Sequence, residues 1–288
     1  MSAQPTTLIT AAPGFDLSTR LGTTDSQRAT FLAPHACVIP GALDAAARDR
    51  LSGQADINTL AEPPTAKRLL IADMESTIIE QEMLDELADA VGARDKVEAI
   101  TAAAMRGELD FEQAITERVA LLEGLDANVL DAVADARLSY MPGARALVSA
   151  MKAAGAHCAL VSGGFTCFTA RVARDLGFDT NRANTLDIAN GKLTGRVVPP
   201  ILGRDAKRDE LDALTASLGI TKRDAIAVGD GANDLAMLTA AGIGVAFRAK
   251  PLVRDAIAPL ATGAVIDHCD LTAVLYVQGM RGEQSDDA

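Results

Sequence analysis

Asp73 and Asp230 each stand at the end of a short apolar run. Asp73 follows Leu69-Leu70-Ile71-Ala72 and opens Asp73-Met74-Glu75-Ser76-Thr77. Asp230 follows Ala225-Ile226-Ala227-Val228-Gly229 and opens Asp230-Gly231-Ala232-Asn233-Asp234. Runs of this kind read as parallel strands buried on both faces. Ligands of open α/β sheets bind beyond the carboxyl ends of the strands. Two carboxylates distant in sequence are thus expected to meet at one site, and their hard oxygens suit Mg²⁺. A calcium-loop reading fails, because the EF-hand ligand pattern with its terminal Glu is missing.

The spacing of the remaining groups points to phosphoryl chemistry. In an extended segment Asp73 and Glu75 can flank a phosphoryl group. One carboxylate can attack phosphorus, and the other can protonate the departing alkoxide. Ser162-Gly163-Gly164 closes the apolar run 156–161 and precedes a helical pattern, where a hydroxyl and backbone N–H groups can take phosphate oxygens. Lys207 opens a further helix and can neutralise phosphoryl charge. Asp234 lies one helical turn after Asp230, and the flanking glycines are expected to permit a strained turn there.

The elements that must position these groups begin at Lys67, where the pattern becomes strand, helix, strand, helix. Helix is expected from Ile79 to Val91, with apolar residues at Ile79, Met83, Leu84, Leu87 and Val91. Helical patterning continues to about Arg137. Pro142-Gly143 opens another helix that Gly155 stops. Residues 184–198 read as a hairpin turning at Asn190-Gly191, and a helix is expected near 232–241. The segment 1–66 is read as a small α+β module with a helical stretch at 42–52 and a linker at Glu62-Pro63-Pro64-Thr65. It could regulate, oligomerise or only append, and it shows no chemistry. The expected division is therefore 1–66, a core of 67–79 with 138–282, a helical insert 80–137, and a disordered tail 283–288.

Composition narrows the function further. The chain has 288 residues, 49% hydrophobic but only 3% aromatic, so the core must be built from Ala, Leu, Val and Ile. A net charge of −12 argues against a nucleic-acid surface. A small phosphorylated ligand stays compatible, because a metal and one Lys reverse the sign locally. The four cysteines, Cys37, Cys158, Cys167 and Cys269, form no CxxC pair. No apolar run approaches the ~20 residues of a membrane span, and the N-terminus lacks a signal-peptide pattern. A soluble cytoplasmic protein, free or as a homodimer, is the expectation.

Taken in order, the four strand-end motifs resemble those of the haloacid dehalogenase superfamily of phosphotransferases, over about residues 67–270. The resemblance implies a doubly wound parallel-sheet α/β core with a helical cap. Within that superfamily, Glu80-Gln81-Glu82 and the stretch from Gly107-Glu108-Leu109-Asp110-Phe111 to Leu122 look like the cap of the phosphoserine phosphatases. A helical wheel places Arg118 with Phe111, Ile115 and Leu122 on an apolar stripe, unusual for a solvated charge. Snorkelling is the alternative reading of that position.

What the resemblance implies is specific. O-phospho-L-serine would be hydrolysed to L-serine in the last step of serine biosynthesis. Asp73 would be the nucleophile and Glu75 the proton donor, with the Glu75 backbone carbonyl also on Mg²⁺. Asp230 would be a metal ligand, supported by Asp234. Ser162, Gly163 and Lys207 would hold phosphate, and Asn233 would help bind substrate. Glu82 and Arg118 would grip the ammonium and carboxylate of the amino acid, with Met105 and Phe111 lining the cap. One departure stands out: Glu75 occupies a position where the family usually has Asp. A related phosphoserine–homoserine phosphotransferase also carries Asp-x-Glu there, so transfer to homoserine is a second reading. A catalytically weak phosphoserine-binding protein is a third.

Overall fold

The computed structural model describes residues 5–106, 108–203 and 205–281. The expected tail at 283–288 lies outside the described residues, as does the side chain of Met105.

The N-terminal segment folds as β1 (Thr6–Ala11), α1 (Thr23–Arg28), β2 (Thr30–Ala33), β3 (Ala36–Pro40), α2 (Ala45–Leu51) and β4 (Ala55–Leu60). Its four strands form an antiparallel sheet in the order β2-β3-β1-β4, a βαββαβ arrangement of the ferredoxin-like type. β1 is buried along its whole length because both faces are covered. Ile9 and Ala11 pack with Leu17, Ile39 and Leu51 inside the module, whereas Leu8 joins the main core.

After the linker come β5 (Leu69–Ala72), α3 (Met83–Ala90), α4 (Arg94–Met105), α5 (Phe111–Ala120), α6 (Asn128–Arg137), α7 (Ala144–Ala153), β6 (His157–Phe165), α8 (Thr166–Leu176), β7 (Thr180–Ala189) and β8 (Lys192–Val198). The chain ends through α9 (Ala206–Ser217), β9 (Ala225–Gly229), α10 (Leu235–Ala240), β10 (Ile243–Phe247), α11 (Pro251–Ile257), β11 (Gly263–Ile266) and α12 (Ala273–Tyr276). The seven strands β5–β11 form one sheet in the order β11-β10-β9-β5-β6-β7-β8, parallel throughout except for β8.

Alternation on β5 explains its unbroken apolar run. Leu70 and Ala72 face one core, and Leu69 and Ile71 face another on the opposite side of the sheet. Both faces are covered by helices, which is the doubly wound α/β architecture. No described helix is long and apolar enough to cross a membrane.

Local expectations shift at several boundaries. The helix expected from Ile79 starts only at Met83. Ser76 has φ 55°, and Ile79 pairs as an isolated bridge with Tyr140, so the chain turns here before it can coil. The strand expected to stop at Val161 runs on through Ser162-Gly163-Gly164 to Phe165. The helix expected at 232–241 is a tight single turn, Ala232–Asp234, followed by α10. Asn190 (φ 53°) and Gly191 (φ 75°) do turn the β7–β8 hairpin, in the left-handed conformations that Asn-Gly favours.

The N-terminal sheet is joined to the core through side chains. Asn58 on β4 donates to the Val265 carbonyl (2.9 Å) and accepts from the Val265 N–H (2.8 Å), imitating a strand partner for β11. The buried Asp56 carboxylate accepts backbone N–H groups from Asp267 (2.8 Å), His268 (3.1 Å) and Cys269 (3.2 Å).

Candidate active site

β9, β5 and β6 are adjacent strands; Asp230 and Asp73 directly follow β9 and β5, and Ser162 lies within β6 just beyond its last pairing with β5 at Leu160. The Asp73 N–H donates to the Val228 carbonyl (3.0 Å), which fixes the aspartate against the neighbouring strand. Lys207, in the first turn of α9, reaches this cluster from the side. Its Nζ lies 2.6 Å from Asp73 Oδ1 and 2.6 Å from Asp234 Oδ1. All five side chains are buried.

Asp234 gets this close because Gly229 has no side chain. A Cβ there would lie 2.4 Å from Asp234 Cγ. The expected strained turn is absent: Gly231 has φ −103°, and Gly229 is not left-handed either. The first glycine is needed for close approach, not for unusual dihedrals. Asp234 Oδ2 then accepts the Gly231 N–H (2.9 Å).

The electrostatics show an under-neutralised cluster. Burial and the Asp234 charge push the Asp73 carboxyl well above its usual range, against the pull of Lys207. Burial also raises Asp230, opposed by Lys250. Burial works against the Lys207 ammonium, but Asp73 and Asp234 outweigh it and the group holds its proton more tightly than usual. Carboxylate oxygens of Asp73, Asp230 and Asp234 lie within 4.8 Å of one another. Three buried hard-oxygen donors sharing one buried ammonium form a set that can hold a divalent cation.

Glu75 is held by the start of α3. Its Oε1 accepts the Met83 N–H at 3.0 Å, the first amide of α3. Its carboxylate lies flat against Gly164, where a Cβ would meet Oε2 at 2.8 Å. Burial, then the charge of Glu82, pushes Glu75 up to about 8. Near neutral pH it therefore carries a proton, the state a general acid requires.

Residues expected to bind phosphate line a narrow cleft. Phe111, Ser162, Gly163, Lys207 and Asn233 share it. The Ser162 hydroxyl accepts the Gly164 N–H (2.9 Å). Phe111 closes over Gly163, its Cζ 3.4 Å from where a Cβ would stand. Asn184 on β7 was not foreseen. Buried, it donates to the Gly163 carbonyl (2.8 Å) and accepts from Leu202 N–H (2.7 Å), tying the two walls together. It carries no local motif, so only the packing of β7 against β6 reveals it.

The pair Glu82 and Arg118 sits at the rim. Glu82 is exposed and accepts the Ser76 hydroxyl (2.8 Å). Half-buried Arg118 donates Nε to its own helix at Ala114 (3.2 Å), and its charge reaches Glu75. The two are not ion-paired with each other in this state. α5, which carries Arg118, starts with a reciprocal Asp110–Gln113 capping box, a signal present in the sequence as Asp-x-x-Gln.

A carboxylate at the end of a central strand, clamped by a buried lysine, on a doubly wound sheet interrupted by helices, is an arrangement suited to phosphoryl transfer. Residues 70–239 match the model of haloacid dehalogenase-like hydrolases, and the chain belongs to that family. It is similar to a phosphoserine phosphatase of Streptomyces coelicolor, with 47% identity over 76% of this chain and 52% of that one. A phosphoserine phosphatase of Albidiferax ferrireducens is 50% identical over 65% of this chain and 81% of the relative. The solved structure of a HAD family hydrolase from Salmonella enterica serovar Typhi superposes with a TM-score of 0.81 at 29% identity, over 99% of this chain and 100% of that one. The chain spans about half the length of the Streptomyces relative.

Proposed function

We propose that this protein hydrolyses O-phospho-L-serine to L-serine and phosphate, the closing step of serine biosynthesis. The observation that carries the chemistry is the pairing of Asp73 with Lys207 at 2.6 Å beside a proton-bearing Glu75. The relatives named above supply the substrate class.

Residues 80–137 serve as a cap over the core. Asp73 attacks phosphorus, and the bond from phosphorus to the serine oxygen breaks. Glu75 gives its proton to the departing serine alkoxide. A water then attacks the aspartyl phosphate, losing its proton to Glu75, and the bond between phosphorus and Asp73 breaks to release phosphate. Lys207, the Ser162 hydroxyl and the Gly163 backbone hold the phosphoryl oxygens, and Asn233 supports substrate from the opposite wall. Arg118 takes the substrate carboxylate, for which its planar fork is suited, and Glu82 takes the ammonium, with Phe111 lining the cap. Asp73, Asp230 and the Glu75 carbonyl would hold Mg²⁺, with Asp234 fixing Lys207. When bound, Mg²⁺ supplies charge stabilisation for the phosphoryl group.

The test is phosphate release from O-phospho-L-serine in Mg²⁺ or EDTA, with and without homoserine. Mg²⁺-dependent release of one phosphate per serine, unchanged by homoserine, is expected. Formation of phosphohomoserine would instead assign the transferase, to which Glu75 in place of Asp also points. No turnover of excess substrate would leave a binding protein.

A further inference from the structure

Asp230 has a cation partner outside the four motifs. Lys250 follows β10, and its backbone N–H donates to the Asp230 carbonyl (3.0 Å). Pro251 then starts α11. Two residues earlier, Arg248 adopts φ 44° and donates its N–H to Ile266 (2.8 Å). The backbone of this corner is therefore fixed, but the Lys250 side chain is 67% exposed. Its Nζ lies 3.6 Å from Asp230 Oδ2, while the Asp230 side chain is only 8% exposed. The charge of Lys250 is also felt at Glu82, the acid at the rim. Lys207 pairs directly with Asp73 and Asp234, and among the described residues the side-chain contacts of Asp230 are Lys250 and a long contact from the Thr77 hydroxyl (3.5 Å).

We propose that Lys250 is a tethered counter-cation of Asp230, neutralising it before a divalent cation binds and swinging into solvent when one does. The assignment rests on the metal-site reading above. An exposed lysine on a flexible stem pairs weakly. Lys250 can thus moderate the repulsion between Asp230 and Asp234, yet it competes with a divalent ion for the same carboxylate. Such competition lowers the apparent affinity for the metal and leaves the metal-free protein more stable.

The experiment is calorimetric titration of the full chain with MgCl₂, together with melting curves in EDTA and in saturating Mg²⁺. Lys250→Met is expected to tighten Mg²⁺ binding roughly 2- to 5-fold, in keeping with the strength of exposed ion pairs. Lys250→Arg should bind as wild type does. Lys222→Met removes the same charge near the opposite strand ends, just before β9, and should leave affinity unchanged. In EDTA the Lys250→Met protein should melt below wild type, and saturating Mg²⁺ should close the gap. Equal affinities for wild type and Lys250→Met, or equal tightening by Lys222→Met, would overturn the assignment. Failure of the wild-type chain to bind Mg²⁺ would overturn the metal-site reading and this assignment with it.

Discussion

Glu75 Oε1 and the Met83 amide nitrogen are 3.0 Å apart, so the residue proposed as general acid also holds the first N–H of α3. A helix start offers amide donors and a partial positive charge. The extra methylene of Glu over the family's usual Asp gives the reach for this contact. Oε2 is left to carry the proton.

Two substitutions separate these roles. Glu75→Gln keeps an acceptor for Met83 but cannot donate a carboxyl proton. It should lower kcat on phosphoserine by about 10²–10⁴, and much less on an aryl phosphate, whose leaving group needs no proton. Glu75→Asp withdraws the carboxyl by about one bond length and should cost about 10²-fold on phosphoserine. Equal losses on both substrates for Glu75→Gln would remove Glu75 from the leaving-group step.

Asp73→Asn should abolish turnover while preserving the fold. Its carboxyl is held well above the usual range by burial and Asp234, so ionising it opposes folding. A neutral isostere relieves that opposition. The variant should melt about 2–4 °C above wild type in EDTA, as read by calorimetry. A lower melting point would show that the Lys207 pairing outweighs the repulsion.

Arg118→Ala should raise KM for phosphoserine about 10- to 100-fold, the worth of a charge-assisted hydrogen bond. KM for an aryl phosphate lacking a carboxylate should change little. A parallel rise on both would remove Arg118 from recognition of the substrate carboxylate.

Asp56→Ala would strip a buried acceptor from three backbone N–H groups at the end of β11. It should lower stability by about 2–4 kcal/mol, measured by urea denaturation. Trypsin should then cut faster at Lys67 and Arg68. Unchanged cleavage would show that the N-terminal sheet is held mainly by packing of β1 and β3 on α12.

By itself the sequence determined the core strands and their acidic ends. A strand buried on both faces must be apolar along its length, so the switch to Asp73 and to Asp230 marks where it leaves the sheet. The Asn190-Gly191 hairpin was legible for the same local reason, since those residues tolerate the turn's left-handed backbone. Tertiary structure decided the rest. α3 begins four residues late because Ile79 is held by Tyr140 and Met83 by Glu75, contacts that no periodicity encodes. The N-terminal sheet showed few signals because Leu8, Asp56 and Asn58 face the core and not water or the module's own helices. Asn184 and Lys250 come to the site from outside the four motifs, by strand order and by a fixed corner after β10. Local propensity can end a strand at a carboxylate, but only packing brings its counter-charge to it.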